Sequence, residues 1–375
     1  MGFALTGTWI FDGVNLQDGR AVIVEGKTIS AVVHASQLPS GIDIQDLQGG
    51  ILTAGFIDVQ VNGGGGALMN DNPTIETVKR IAASHRKFGT TGMLPTVITD
   101  DQKVIDQSIN AVRAAISNHV PGILGIHLEG PFLDMARKGA HPANFIRMMT
   151  QRDVQIISAI HCGSVMVTLA PNKVPTKFIT ELSQHGVLVS LGHADATAKE
   201  AQLALAAGAR AFTHIYNAMS QLNGRQPGMV GACLSDLESY CGVIVDGLHV
   251  DDTALKVFFA AKPKNRIMLI TDAMPPAAGG PDNFELQGRT AQRLGNKLQL
   301  DDGTLAGSIV TMDEAVRNTV KLGVGIEEAL RMASLVPAHF LHLENELGRI
   351  APGYRASMVH LTENLYANKT WIDGQ

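Results

Sequence analysis

Eight apolar runs alternate with helical patterns from residue 52 onwards, and this alternation limits the possible folds more than any other feature. The runs have the length of buried strands and span residues 52–60, 92–99, 123–129, 165–170, 187–191, 209–213, 242–246 and 267–271. Helical spacing of apolar residues occurs at 74–88, 102–117, 175–185, 197–207 and 312–322. Alternating strands and helices form parallel sheets, and eight strands close a barrel. The predicted fold is therefore an α/β, TIM-like (β/α)₈ barrel.

Both ends of the chain lack this alternation. Short β-like runs separated by turn pairs occupy residues 3–48, and similar runs lie near 348–350, 357–361 and 369–373, after a helical pattern at 325–341. Strands from the two ends can pair beside a barrel that lies between them in sequence. We therefore predict a small β-sandwich domain built from residues 1–51 and 345–375, and a barrel at residues 52–344.

Composition indicates which kind of molecule the protein binds and in which cellular compartment it acts. The 375 residues are 45% apolar and carry a net charge of −5 without a basic block, which argues against nucleic acid or an anionic membrane as a partner. The three cysteines have no CxxC spacing, so neither a disulfide framework nor a thiolate zinc site is indicated. No export or membrane-spanning signal is visible. We predict a cytoplasmic protein that acts on a small molecule.

Four of the apolar runs lead into polar groups that metal or acid–base chemistry can use. Glu129, His193, His214 and Asp272 would meet at one mouth of a barrel, because the carboxyl ends of its strands converge there. Two imidazoles and one carboxylate match the open three-ligand arrangement of catalytic zinc sites, and Asp272 would then transfer protons. His127 is expected in the core.

Each of these residues also has a structural alternative. Glu129 could be hydrogen-bonded to nearby backbone amides, either histidine alone could be a packed core residue, and Asp272 could cap the turn that follows it. The combination of one carboxylate with two histidines favours the metal interpretation.

Further candidates lie in polar, glycine-containing loops. His141, Arg225 and His249 could bind an anion or polarise a carbonyl, and a structural role fits them equally well. The glycine run at 63–66 lacks a phosphate-binding fingerprint and is expected to be a flexible loop. Residues 274–283 are rich in Pro and Gly and could cover the site.

The ordered series of motifs resembles one known family over nearly the whole chain. The matching segments are residues 54–62, 89–91, 127–132, 192–193, 213–219, 225–228, 246–249, 271–273 and 303–308. This series resembles the N-acetylglucosamine-6-phosphate deacetylases of the amidohydrolase superfamily. The resemblance implies hydrolysis of the N-acetyl group of N-acetylglucosamine 6-phosphate to glucosamine 6-phosphate and acetate, in amino-sugar catabolism and recycling of cell-wall sugars.

The resemblance also implies residue roles. One divalent metal ion per subunit is expected at Glu129, His193 and His214, with Zn²⁺ first and Fe²⁺, Co²⁺ or Ni²⁺ as alternatives, and metal-activated water is expected to attack. Asp272 is implied as the catalytic acid and base, and His141 would polarise the acetyl carbonyl. The implied substrate contacts are Ala140, His141, Asn217, Ala218, Arg225, His249, Leu305, Ala306 and Gly307. Arg225 would reach the neighbouring subunit's site in a homodimer or higher homo-oligomer.

One departure from the wider superfamily predicts the metal count. Gln60 and Asn62 occupy the positions where many amidohydrolases carry His-x-His, and neutral amides are weak ligands for transition metals. One metal is therefore expected. A two-metal cyclic-amide hydrolase is disfavoured for this reason and because the fourth strand lacks a lysine. A catalytically silent barrel used for binding or assembly is the other alternative, and the intact set of ligands and Asp272 argues against it.

Overall fold

Eight parallel strands form the central sheet of the protein. The computed structural model describes residues 2–375, and the strands follow one another around the sheet in chain order: Phe56–Val61, Thr90–Ile98, Gly125–Glu129, Ser164–Leu169, Leu188–Leu191, Ala211–Phe212, Tyr240–Val243 and Ile267–Leu269. Between the first and eighth strands the contact is an isolated parallel bridge, Val61 to Ala273, beyond the end of the eighth strand. The sheet is thus a nearly closed barrel, and the predicted fold is confirmed.

The helices surround this barrel. They are Ile75–Arg86, Gln102–Ser117, Gln151–Ser158, Thr176–Gln184, Ala198–Ala206, Gly228–Ser235, Asp252–Ala261, Met312–Lys321, Ile326–Ala333 and Leu335–Phe340. The segment 325–341, predicted as helical throughout, divides at Ser334. Pro337 follows the break and has no amide hydrogen for the bond to the Ala333 carbonyl that an uninterrupted helix would require.

Polar side chains as well as apolar ones fill the barrel interior. His127 is fully buried, and its Nε2 lies 2.8 Å from the Thr168 hydroxyl. Thr168 and Ser190 in turn lie 2.7 and 2.6 Å from the Thr213 hydroxyl. The predicted core position of His127 is confirmed, and its polar atoms are satisfied by hydroxyls. These bonds link the third, fourth and fifth strands to Thr213, which directly follows the sixth.

Two smaller sheets are built from both chain ends. One contains Phe3–Thr6, Arg20–Glu25, Thr28–His34 and Asp43–Asp46, and the other contains Trp9–Phe11, Leu16–Gln17, Ile51–Ala54, Met358–Leu361 and Ala367–Trp371. Leu5 and Val22 of the first sheet share a core with Ile10, Leu52 and Met358 of the second. The predicted sandwich of both termini is present. The boundaries at 51/52 and 344/345 remain a prediction.

The predicted strand 52–60 is in fact two strands in different sheets. Ile51–Ala54 pairs antiparallel with Met358–Leu361 in the terminal sandwich, whereas Phe56–Val61 belongs to the barrel. Gly55 lies between them, and a Cβ there would sit 2.1 Å from the Thr91 side chain. A single apolar run therefore conceals a crossing between two sheets. The strand predicted near 348–350 is wrong, since no strand forms there.

Two further segments, residues 283–300 and 63–68, differ from what the sequence predicted. Residues 283–300 form a three-stranded antiparallel sheet, Asn283–Leu286, Arg289–Leu294 and Lys297–Leu300, which the sequence analysis missed. The glycine run, expected to be a flexible loop, pairs as the hairpin Gly63–Gly64 with Ala67–Leu68, and Gly63 N donates to Ala273 O at 2.8 Å.

No helix among residues 2–375 combines the length and the apolar character needed to cross a membrane.

Candidate active site

A cavity of about 380 Å³ opens at the carboxyl ends of the barrel strands. Among the residues that line it are almost all of the predicted site residues, namely Glu129, Ala140, His141, His193, His214, Asn217, Ala218, His249, Asp272, Leu305, Ala306 and Gly307. The exception is Arg225, which is exposed and does not line this cavity within its own subunit. The topology therefore collects side chains from strands that lie far apart in sequence.

Three of these residues form a compact group of potential metal ligands. Glu129 ends the third barrel strand, and His193 and His214 follow the fifth and sixth. Glu129 Oε1 lies 3.1 Å from His214 Nε2 and 3.4 Å from His193 Nε2, and the two Nε2 atoms are 3.0 Å apart. A tetrahedral cation with ordinary nitrogen and oxygen bond lengths has ligands about 3.3 Å apart. The spacing of the donor atoms fits a divalent cation.

The hydrogen bonds of this group agree with metal ligation. His193 Nδ1 lies 3.0 Å from the Arg137 carbonyl, so Nδ1 carries the proton and Nε2 offers its lone pair. Burial alone would raise the pKa of Glu129, but hydrogen bonds with His193 and His214 hold that pKa well below its ordinary value. Two imidazole nitrogens and a carboxylate oxygen that point at one another are most stable with positive charge between them.

Backbone strain is concentrated at the same strand ends. His193, His214 and Asp272 have φ values of +47°, +31° and +50°, and Tyr216 and Ala218 have +73° and +49°. Each such conformation in a residue with a Cβ costs about 1–3 kcal/mol and persists only where the surroundings enforce it. The chain thus turns sharply after these strands, and all of these residues except Tyr216 line the cavity.

Two amides donate to the carboxylates of the site, and the amide of Gln60 bridges them. Gln60 Nε2 donates to Glu129 Oε1 at 3.0 Å and to Asp272 Oδ1 at 3.1 Å, and Asn62 Nδ2 donates to Asp272 Oδ1 at 2.6 Å. From the sequence alone, these amides were expected only to be poor metal ligands. Their N–H groups face the carboxylates, so they act as hydrogen-bond donors. Burial, followed by the charge of Glu129, raises the pKa of Asp272 to about 6.

His141 is a neutral donor directed at the site. The Thr99 backbone N–H donates to His141 Nδ1 at 3.3 Å, and burial holds the pKa of His141 well below its ordinary value. Because Nδ1 accepts a hydrogen bond, the neutral ring carries its proton on Nε2. That Nε2 lies 3.9 Å from Glu129 Oε2. A hydrogen-bond donor therefore stands beside the potential metal ligands.

His249 is held by a carboxylate that sequence reasoning did not single out. Its Nδ1 lies 2.7 Å from Asp246 Oδ2, while the backbone N–H groups of Leu248 and His249 both donate to Asp246 Oδ1 at 2.9 Å. The spacing Asp-x-x-His in a glycine-containing turn is the signal that could have identified this pair. Arg137 also lines the cavity and was not predicted. Its guanidinium is paired with Asp195 at 2.8 Å.

Comparison with known proteins agrees with this geometry. Residues 51–375 match the amidohydrolase family, and residues 2–52 match the NagA composite domain. The chain is 42% identical to an N-acetylgalactosamine-6-phosphate deacetylase from Shewanella sp. (strain ANA-3), with 88% of this chain and 84% of that protein covered. It is 32% identical to an N-acetylglucosamine-6-phosphate deacetylase from Haemophilus influenzae, with 100% and 99% covered.

A solved structure with a similar name has the same fold. The crystal structure of N-acetylglucosamine-6-phosphate deacetylase from Pasteurella multocida superposes with a TM-score of 0.97 at 33% sequence identity, covering 100% of this chain and 99% of that one. Family match, sequence identity and superposition all extend over the barrel that carries the site. The chain belongs to the amidohydrolase family.

Proposed function

We propose that this protein hydrolyses the N-acetyl group of N-acetylglucosamine 6-phosphate, releasing glucosamine 6-phosphate and acetate in amino-sugar catabolism and recycling of cell-wall sugars. The observation that carries this proposal is the buried Glu129, His193 and His214 group, which lies beside Asp272 in a cavity open to small molecules. The full-length relatives with this name support the choice of substrate.

Glu129, His193 and His214 would hold one divalent metal ion per subunit. Zn²⁺ is our first choice, and Fe²⁺, Co²⁺ and Ni²⁺ accept the same ligands. When bound, the ion would supply Lewis-acid chemistry, activating water and stabilising negative charge on the carbonyl oxygen. Gln60 and Asn62 support a count of one metal, because their N–H groups donate to carboxylates.

Asp272 would be the general base and then the general acid. Both amide donors bond its Oδ1, which leaves Oδ2 for proton transfer. As a base, the carboxylate would take a proton from the attacking water. As an acid, it would deliver that proton to the departing amine nitrogen, so that glucosamine 6-phosphate leaves as a neutral or protonated amine.

The other lining residues would bind and orient the substrate. His141 Nε2–H would donate to the acetyl carbonyl oxygen and favour attack on its carbon. His249 would contact the sugar phosphate through the Nε2 that its bond to Asp246 leaves available. Ala140, Asn217, Ala218, Leu305, Ala306 and Gly307 would complete the walls around the substrate.

We further propose that Arg225 binds the phosphate of a substrate held by the neighbouring subunit of a homodimer or higher homo-oligomer. Arg225 is exposed and lies outside its own subunit's cavity, so it is available to another copy of the chain. Guanidinium groups suit phosphate because they donate two parallel hydrogen bonds. The three free, buried cysteines support our placement of the enzyme in the cytoplasm, a reducing compartment.

A second substrate has a specific observation in its favour. The Shewanella relative at 42% identity is named for N-acetylgalactosamine 6-phosphate, which differs from the glucosamine sugar only in the configuration at C4. Deacetylation of this epimer is therefore the alternative function. Both substrates would use the same metal ligands and the same acid–base residue.

The test is an acetate-release assay with both phosphorylated epimers and with unphosphorylated N-acetylglucosamine, alongside metal analysis of the purified protein. We expect about one metal ion per subunit and the largest kcat/KM with N-acetylglucosamine 6-phosphate. A larger kcat/KM with the galactosamine epimer would select the alternative. Protein without metal that releases no acetate after addition of Zn²⁺ would favour a silent binding barrel.

A further inference from the structure

The barrel is least continuous beside Asp272. The sheet pairs every neighbouring strand except the first, Phe56–Val61, with the eighth, Ile267–Leu269. At this seam the backbone bond from Asp272 N to Gln60 O, at 2.9 Å, replaces a continuous ladder. Asp272 also has a left-handed backbone, with φ of +50°. Besides that bond, Gly63 N donates to Ala273 O at 2.8 Å, and side-chain contacts across the seam add to these two backbone bonds.

A buried side-chain clasp lies across this seam. Thr271 Oγ1 donates to Asp58 Oδ2 at 2.5 Å, and the Thr271 and Gln60 backbone N–H groups donate to Asp58 Oδ1 at 3.4 and 3.1 Å. From the other side, Ser308 Oγ donates to the Thr271 carbonyl at 2.5 Å, and Ser308 N donates to the Asp272 carbonyl at 3.0 Å. The clasp consists of Asp58, Thr271 and Ser308.

Burial of the Asp58 carboxylic acid in the barrel interior is energetically unfavourable. Asp58 is fully buried, and burial raises its pKa to about 7 despite the hydrogen bond from Thr271. Among residues 2–375 no Lys, Arg or His lies within ion-pair distance of it. An apolar side chain would fill a barrel core without this desolvation cost. Unlike an apolar side chain, the Asp58 carboxyl group accepts hydrogen bonds from Gln60 on the first strand and from Thr271 after the eighth.

We propose that Asp58 is a positioning residue that acts through Thr271 to hold Asp272 in reach of the reacting atoms. The clasp fixes the residue immediately before Asp272 to the first strand. That strand also carries Gln60, and Asn62 follows it, and the amides of both residues bond Asp272 Oδ1. The clasp thereby holds Asp272 in a fixed position relative to the first strand. The inference rests on the proposed role of Asp272 and adds a reason for its geometry.

The test compares variants that remove or retain the clasp. Thr271→Val keeps the shape and removes the hydroxyl, Thr271→Ser keeps the hydroxyl, and Asp58→Asn replaces one acceptor oxygen with a donor. We expect Thr271→Val and Asp58→Asn to lower kcat by about 10- to 100-fold, since a misplacement of about 1 Å can cost that much. KM and the metal bound per subunit should change little, and Thr271→Ser should stay within about threefold of the wild type.

Thr319→Val is the matched control. Thr319 is fully buried, and its hydroxyl donates to the Ala315 carbonyl at 2.8 Å within the helix Met312–Lys321, so it does not take part in the clasp. We expect it to leave kcat unchanged even if it lowers the melting temperature. The two clasp changes should not add in the double variant, because either one opens the same contact.

Several outcomes would overturn the proposal. Wild-type kcat in Thr271→Val or in Asp58→Asn would do so, as would losses that add in the double variant. If Thr271→Val does not fold, the isosteric Asp58→Asn decides the question alone. A fall in metal content and in kcat by the same factor would indicate partial unfolding and would also overturn the positioning role.

A structural measurement separates this proposal from the proposed function. In a crystal structure of Thr271→Val we expect the Asn62 Nδ2 to Asp272 Oδ1 contact, now 2.6 Å, to lengthen beyond hydrogen-bond range. An unchanged contact would overturn the clasp whatever the substrate is. Absence of acetate release by the wild type would instead overturn the proposed function and leave this geometric result standing.

Discussion

Two buried carboxylates in one cavity have pKa values that move in opposite directions. Burial raises the pKa of Asp272 to about 6, whereas hydrogen bonds from two histidines overcome the same effect at Glu129 and hold its pKa low. A carboxylate that remains ionised suits metal ligation, and one that titrates closer to neutrality suits proton transfer. At the scale of single residues, environment rather than residue type distinguishes the two proposed roles.

Asp272→Asn tests the proton-transfer role directly. The amide retains the shape and can still lie beside Asn62, but it cannot accept a proton from water. We expect kcat to fall by at least about 10²- to 10⁴-fold, the range that general acid–base groups contribute. Metal analysis should still find about one ion per subunit. Wild-type turnover in this variant would remove Asp272 from the mechanism.

The pH dependence of kcat/KM provides a second test of Asp272. Its working form as a base is the carboxylate, so activity is lost as pH falls through the Asp272 pKa. Without metal that pKa is about 6, and a nearby cation lowers it further because positive charge stabilises the carboxylate. The acid limb of the metal-loaded enzyme should therefore have an apparent pKa below 6. An acid limb above 6 would assign it to another group.

At the scale of elements, three barrel strands are followed by a residue with the same left-handed backbone conformation. After the fifth, sixth and eighth barrel strands the chain turns with positive φ at His193, His214 and Asp272, and the strain is located where side chains must enter the cavity. A metal ion held by Glu129, His193 and His214 would tie two of these strained ends, those after the fifth and sixth strands, to the third strand. Metal binding should then raise the thermal stability of the folded protein.

Chelation should accordingly lower the melting temperature of the protein. A ligand that binds only the folded state stabilises it by about 2.7 kcal/mol at a concentration 100 times its Kd, and removal reverses the effect. We expect thermal unfolding to shift downwards with a chelator and to recover with Zn²⁺. His193→Ala is the control, since it should bind metal poorly and respond little to the chelator. An identical melting temperature with and without metal would contradict the site.

At the scale of the whole molecule, one subunit leaves the proposed phosphate contact incomplete. Arg137 lines the cavity but is paired with Asp195, and Arg225 lies outside the cavity on the surface. Among residues 2–375, Arg137 is the only Lys or Arg that lines the cavity, so a single subunit offers a phosphate dianion no unpaired cationic side chain of these types there. A second subunit that supplies Arg225 would provide that charge.

Complementation between two impaired variants tests this arrangement. Arg225→Ala should raise KM by about 10- to 100-fold through loss of a charge-assisted hydrogen bond, and Asp272→Asn should be inactive. In hybrid dimers, the Arg225→Ala subunit keeps Asp272 and would receive Arg225 from its neighbour. Mixing the variants in equal amounts should restore about a quarter of the sites, as a two-fold symmetric dimer requires. No gain over the sum of the separate activities would show that Arg225 acts elsewhere.

Local patterns in the sequence were sufficient to predict the barrel and the group of potential metal ligands. Apolar runs of strand length predicted all eight barrel strands, and Glu129, His193 and His214 were recognisable because each ends or follows such a run. Strand and helix periodicity depends on near neighbours, which a sequence displays directly. The three-stranded sheet at 283–300 escaped detection because its strands are short and only partly buried, so their apolar periodicity is weak.

Contacts between distant parts of the chain could not be read in the same way. Asn62 and Asp272 are 210 positions apart, and Asp58 and Thr271 are 213 apart, yet both pairs are hydrogen-bonded across the barrel seam. Closure of the barrel brings the first strand beside the eighth. Gln60 and Asn62, which the sequence marks only as poor metal ligands, thereby become hydrogen-bond donors to Asp272. Residue type and periodicity specify which elements form and where polar groups end them. Which side chains meet, and with what pKa values, depends on how the strands pack and on the burial that this packing imposes.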